Sequence, residues 1–139
     1  MVYLFGSIEI VTVVMLARLH CNKQVKWSLP IETRIATSKK EAYEQHAASL
    51  QQATQGNMLV AYTDGSCINS KVGAACYCPA EGKVVQKFMG TDKEANVFTA
   101  ELDAINMALR IVQSPPTEAY KGCIIYADSQ AAIKAIGNL

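Results

Sequence analysis

Three acidic residues in this 139-residue chain interrupt the patterns around them. Asp64 comes just after the apolar run 58–62, and Asp128 follows directly on the apolar run 123–127. Both runs read as short strands covered on both faces, so each carboxylate stands at the carboxyl end of its strand, where open α/β sheets gather ligand chemistry. Glu101 lies one turn before Ile105 and two before Leu109, on the stripe that a helix would bury. Taken singly, each has a plain structural reading: Asp64-Gly65-Ser66 as a turn, Asp128-Ser129 as a helix cap, Glu101 as a first-turn acid favoured by the helix dipole. Taken together they converge. Two adjacent parallel strands bring Asp64 and Asp128 side by side, and a crossover helix lays Glu101 over them. Carboxylates about 4 Å apart repel by roughly 4 kcal/mol at an effective dielectric near 20, so three of them demand protons or a divalent cation. Oxygen-only ligands with no His or Cys beside them select Mg²⁺ or Mn²⁺ over zinc. Such an ion on carboxylates is an apparatus for phosphoryl transfer, because it activates water and neutralises charge on the scissile phosphate.

The elements that must position these groups can be read from periodicity. Runs 58–62, 72–78 and 83–89 are strand-like, and Pro79-Ala80-Glu81-Gly82 between the last two has turn chemistry and hairpin length. The period then becomes helical over 97–113, with Leu102, Ile105, Ala108, Leu109 and Val112 on the buried stripe and Asp103, Asn106 and Arg110 on the wetter side. Ser114-Pro115-Pro116 stops it. A strand at 123–127 and a helix at 129–136 follow, with Ser129 as N-cap and Gly137 at the end. The expected class is α/β, a mixed sheet of three antiparallel strands and then a parallel strand after a crossover helix.

Upstream, 27–37 reads as an extended linker with Pro30 disfavouring helix at Leu29. A helix near 38–54 opens on Ser38-Lys39-Lys40-Glu41, a capping box in which Ser38 and Glu41 each satisfy an orphaned backbone N–H. Ala42, Tyr43, His46, Ala47 and Leu50 form its apolar stripe. His46, lone on that stripe, reads as a packing residue rather than a ligand. Gly56-Asn57 marks the expected boundary between an N-terminal segment with its connector, 1–56, and a domain over 57–139.

Composition narrows the class without naming a partner. Thirteen basic and twelve acidic side chains give a formal charge of +1, so no basic excess announces nucleic acid. Half the residues are hydrophobic, too many for a disordered chain. Cys21, Cys67, Cys76, Cys78 and Cys123 are odd in number and contain no C-x-x-C, which points to free thiols in a reducing compartment. In residues 1–17 only Glu9 is charged, yet an acid inside the apolar run suits neither a signal peptide nor a membrane span. The run 8–16 reads as a buried strand in preference to membrane insertion, with no role assigned, and compartment stays open.

Tyr62-Thr63-Asp64-Gly65-Ser66, Thr99-Ala100-Glu101-Leu102 and Tyr126-Ala127-Asp128-Ser129-Gln130-Ala131-Ala132-Ile133 resemble, in order and at similar spacing, the three acidic motifs of the ribonuclease H domain. The resemblance covers 57–139 and is nearest to the domain carried in fungal non-LTR retrotransposon polyproteins. Trp27-Ser28-Leu29-Pro30 and Ser38-Lys39-Lys40-Glu41-Ala42 resemble the connector after the reverse transcriptase there. The family implies sheet order 3-2-1-4-5 and metal-dependent hydrolysis of the RNA strand of an RNA–DNA hybrid. By resemblance, Asp64 bridges two metals, Glu101 and Asp128 complete the ligation, and Glu101 lies near the RNA ribose. The backbone of Gly65 and Ser66 approaches the RNA strand, whose 2′-hydroxyls distinguish it from DNA. Residues 96–98 depart from the Asn/Arg-rich lead-in of many relatives.

The resemblance also implies a fifth strand, a histidine loop and a fourth acid, none of which the sequence supplies after Asp128. The domain is therefore expected to be incomplete at its C-terminus, with the strand 123–127 left as an apolar sheet edge and nuclease activity impaired. The competing reading is a non-catalytic retroelement relic or nucleic-acid-binding fragment. An actin-like nucleotide-binding domain would need a second Asp-Gly loop and a longer chain, and an exonuclease would want Asp-x-Glu where Asp64-Gly65-Ser66 stands.

Overall fold

In the computed structural model the described residues are 15–18, 32–113, 120 and 122–138. Cys21, most of the run 8–16, the first part of the 27–37 linker and the Ser114-Pro115-Pro116 stop lie outside them, as does the side chain of Val112.

The elements in chain order are β1 (Met15–Arg18), α1 (Lys39–Gly56), β2 (Met58–Ile68), β3 (Lys71–Cys78), β4 (Lys83–Thr91), α2 (Val97–Gln113), β5 (Gly122–Ala127) and α3 (Gln130–Gly137). They form one mixed sheet in the order β1-β5-β2-β3-β4. Strands β2, β3 and β4 are an antiparallel meander, and β5 returns through α2 to lie parallel to β2. This is the α/β architecture read from the sequence, and α2 has the bounds expected of it.

Period-2 burial builds the centre of the sheet. Leu59, Ala61, Thr63 and Gly65 of β2 are buried, while Met58, Val60 and Tyr62 alternate with them and are half-buried on the other face. The first set joins Val72, Ile105, Ile125 and Ile133 in the main core beneath α2 and α3. The second set joins Ile124 and Tyr126 of β5 beneath α1, around Ala53 and Leu50. Fully burying a side chain such as Leu59 or Ile125 contributes about 1.5–3 kcal/mol, which makes the α2 face the main source of cohesion.

Strand β2 runs on through Asp64-Gly65-Ser66 to Ile68, so the expected strand 58–62 is too short and the turn reading of those three residues is wrong. The cause is a second ladder: Asp64, Gly65 and Ser66 stand opposite Ala75, Ala74 and Gly73 of β3, small residues that let the strands continue. The chain reverses instead at Asn69 and Ser70, with φ of 49° and 60°, a two-residue hairpin loop whose positive φ values match the right-handed twist of the strands. The 79–82 turn holds as a 3₁₀ turn ending at Gly82, φ 60°.

Two expectations about α1 are corrected. Ser38 Oγ accepts from Glu41 N at 3.1 Å as the capping box requires, but the Glu41 carboxylate reaches the Thr37 N–H at 2.7 Å and not that of Ser38. The face turned to the sheet is Ala42, His46, Ser49 and Ala53, whereas Tyr43 is 69% exposed and Ala47 is exposed. Ser49 bonds the Tyr126 hydroxyl there, so a polar residue displaces an aromatic one from the contact.

The bare sheet edge expected at 123–127 is also corrected. Strand β1 pairs antiparallel with β5, Met15 opposite Ile125 through Arg18 opposite Gly122, and occupies the position beside β5 for which the resemblance implied another strand. The far edge is β4, largely exposed, with Lys83 and Lys87 interrupting its apolar residues as edge strands favour.

Candidate active site

Asp64 leaves the sheet from within β2, Asp128 is the first residue past β5, and Glu101 stands in the first turns of α2. One carboxylate oxygen from each lies within 4.8 Å of the others. Register brings the first two together. The last parallel pair is Thr63 opposite Ala127, so Asp64 and Asp128 are the next residues on neighbouring strands. Ser129 then caps α3, its hydroxyl accepting from Ala132 N at 3.2 Å, which turns the chain away directly after Asp128.

Glu101 is delivered by the way α2 starts and by what it rests on. Asn96 Oδ1 accepts from Thr99 N at 2.8 Å and from Thr99 Oγ1 at 3.0 Å, an N-cap that sets the helix phase. Read from the sequence, Asn96 marked only a departure from the family lead-in; an Asn three residues before a Thr was the available signal for the cap. Val97 and Phe98 beside it are 41% and 42% exposed. Farther along, α2 sits directly on β2. A Cβ at Gly65 would lie 2.6 Å from Glu101 N and 2.9 Å from Ala100 C, so only glycine admits the helix at this distance. Gly65 packs its α-carbon against α2, and Ser66 next to it is half-buried.

The three acids differ in surroundings. Glu101 is 4% exposed, Asp64 half-buried and Asp128 exposed. Burial, reinforced by the Asp128 charge, pushes Asp64 up to about 6, with the Gly65 N–H pulling the other way. Burial pushes Glu101 up to about 8, helped by the charges of Asp128 and Asp64 and again opposed by the Gly65 backbone. Glu101 Oε2 is buried and has no hydrogen-bond partner among the described residues. An orphaned buried acceptor costs about 1–3 kcal/mol, and more when charged. An all-oxygen donor set carrying excess negative charge and an unpartnered buried oxygen fits a hard divalent cation.

A family model described as RNase H matches residues 56–139. The chain belongs to the ribonuclease H family. No curated protein and no solved structure matches it. The mixed sheet with its crossover helix is the fold expected of a ribonuclease H domain, and the family's activity is divalent-metal-dependent cleavage within RNA–DNA hybrids.

Outside this site, the other groups singled out in the sequence are structural. His46 Nε2 meets the Tyr62 hydroxyl at 2.8 Å and packs edge-on against Tyr126, the packing role expected of it. Cys67, Cys76, Cys78 and Cys123 are free, and burial pushes the Cys76 thiol up to about 12, which leaves it unreactive. Among the described residues no helix is long and apolar enough to cross a membrane.

Proposed function

We propose that this chain is a ribonuclease H that cuts the RNA strand of RNA–DNA hybrids endonucleolytically, with Mg²⁺ or Mn²⁺ held by Asp64, Glu101 and Asp128. The observation that carries the reading is the buried, unpartnered Glu101 Oε2 within 4.8 Å of oxygens from both aspartates. A bound divalent ion supplies an activated water and neutralises charge on the scissile phosphate. The protein supplies placement: the β2–β3 ladder anchors Asp64, packing on Gly65 anchors Glu101, and exposed Asp128 meets the substrate side. The backbone of Gly65 and Ser66, directly after Asp64 on β2, is suited to approach the RNA strand, whose 2′-hydroxyls mark it against DNA. The three carboxylates gathered among the described residues offer one ion a good set, so we expect one firm metal site.

We further propose that residues 57–139 are the nuclease domain and 1–56 the preceding segment and connector, of the kind found after the reverse transcriptase in fungal non-LTR retrotransposon polyproteins. The supports are α1 ending at Gly56 with Asn57 in a left-handed cap, the family match beginning at residue 56, and the resemblance around 27–30 and 38–42. The exposure of Asp128 beside its two more buried partners favours one second reading, a domain that binds hybrids without cutting them. The deciding experiment incubates the purified chain with an end-labelled hybrid, an RNA duplex and a DNA duplex in Mg²⁺ or Mn²⁺, beside Asp64→Asn. Metal-dependent cleavage of the hybrid's RNA alone, lost in the variant, supports nuclease function. Hybrid binding with no cleavage in either ion supports the second reading, and cleavage that survives Asp64→Asn contradicts the site.

A further inference from the structure

The last paired rung of the β2–β5 ladder is Thr63 opposite Ala127, one residue before the carboxylates. Strand β2 continues beside β3, whereas β5 turns at Asp128 into α3. Asp64 and Asp128 thus lie just past that rung, and their like charges oppose their approach. One side chain ties the strands at the last rung. Thr63, 5% exposed, donates its Oγ1 hydrogen to the Tyr126 carbonyl oxygen at 3.2 Å. The donor adjoins Asp64 in sequence, and the acceptor is two residues before Asp128. A threonine in a central strand needs no hydroxyl to fit, since valine has the same shape, so the bond is what this residue adds beyond packing.

We infer that Thr63 is a positioning residue of the metal site, its hydroxyl holding β2 and β5 at the separation that lets Asp64 and Asp128 share one cation with Glu101. The inference rests on the metal-site reading given above. Groups that orient ligands from behind cost about 10–100-fold in metal affinity when removed. A single neutral hydrogen bond belongs at the low end of that range.

The test compares Thr63→Val, which keeps the branched shape and loses the donor, with Thr63→Ser, which keeps the donor and loses a methyl. The full 139-residue chain is titrated with Mn²⁺ alone, and amide hydrogen exchange is followed in the metal-free protein at residues 126–128. Thr63→Val is expected to bind Mn²⁺ about tenfold more weakly and to exchange faster at those amides only, while Thr63→Ser stays within about twofold of the parent in both. Weaker thermal stability with unchanged Mn²⁺ affinity in Thr63→Val would mean that the threonine is only structural and would overturn the inference. If the valine variant does not fold, Thr63→Ala beside Thr63→Ser decides: a tenfold loss in alanine that serine does not show supports the tie, and equal affinity in the two, or a tenfold loss in serine, overturns it. If the parent binds no Mn²⁺, the metal reading falls separately. The exchange comparison then judges the tie alone, with no difference between valine and parent overturning it.

Discussion

Replacing Glu101 with glutamine should make the metal-free protein more stable and deprive it of its response to metal. The side chain keeps its shape and loses its charge at a site that is 4% exposed, where one carboxylate oxygen has no partner and two aspartates lie within 4.8 Å. At about 1.4 kcal/mol per pH unit, the interval between the usual 4.5 and about 8 bounds the cost of ionising Glu101 at ~5 kcal/mol. A single Coulomb pair at 4.8 Å and an effective dielectric near 20 gives ~3.5 kcal/mol, the same order. The buried amide that replaces the carboxylate takes back about 1–3 kcal/mol wherever it stays unpartnered. The expected net gain at pH 8 in EDTA is ~2 kcal/mol, or roughly 4–10 °C in Tm for a chain of this size. Divalent ion at a hundred times its Kd stabilises the parent by about 2.7 kcal/mol and the variant hardly at all, so the order of the two melting curves closes or reverses. Differential scanning fluorimetry with and without Mn²⁺ reads both effects. A variant that melts below the parent in EDTA, or that gains as much from Mn²⁺ as the parent does, would mean that Glu101 carries neither a buried charge cost nor the metal.

Other outcomes follow from the same geometry. For Asp64 and Glu101 the folded state holds protons that the unfolded chain has already released, so their contribution to stability falls as pH rises, from about 4 to 6 for Asp64 and from about 4.5 to 8 for Glu101. Metal-free denaturation curves should show the Glu101 part as a parent-minus-Glu101→Gln difference that widens with pH; His46, whose pKa burial lowers, and most of the Asp64 part are common to both proteins and cancel. Gly65→Ala should cost about 2–4 kcal/mol and weaken Mn²⁺ binding, because its methyl would lie 2.6 Å from Glu101 N and α2 must move; urea unfolding and a Mn²⁺ titration check the two parts. Tyr62→Phe, which removes the hydroxyl 2.8 Å from His46 Nε2, should cost about 1 kcal/mol and speed proteolysis within α1 while leaving Mn²⁺ affinity unchanged.

Where a pattern reported burial directly, the sequence was a sufficient guide. The 3.6-residue period of 97–113 and the apolar run 123–127 recovered α2 and most of β5 and placed Glu101 on the buried side of its helix. Asp64 and Asp128 were legible for the same reason, as charges adjoining apolar strands. The reach of β2 was not legible, because Asp64-Gly65-Ser66 has the local preferences of a turn and only pairing with the small residues of β3 holds it extended. The docking face of α1 was misjudged at Tyr43 because hydrophobicity cannot announce that Ser49 and His46 will meet tyrosine hydroxyls across the sheet. Pairing of β1 with β5 joins segments more than 100 residues apart, and nothing in the local pattern of either names the other.

The central claim is that Asp64, Glu101 and Asp128 together hold a divalent cation. Isothermal titration of Mn²⁺ into the metal-free 139-residue chain at pH 7.5, repeated on Asp64→Asn and Asp128→Asn, tests it most directly. The parent should show one tight site per chain, accompanied by proton release, and each variant at least a tenfold loss of affinity. Binding that is absent from the parent, or unchanged when either aspartate is neutralised, would contradict it.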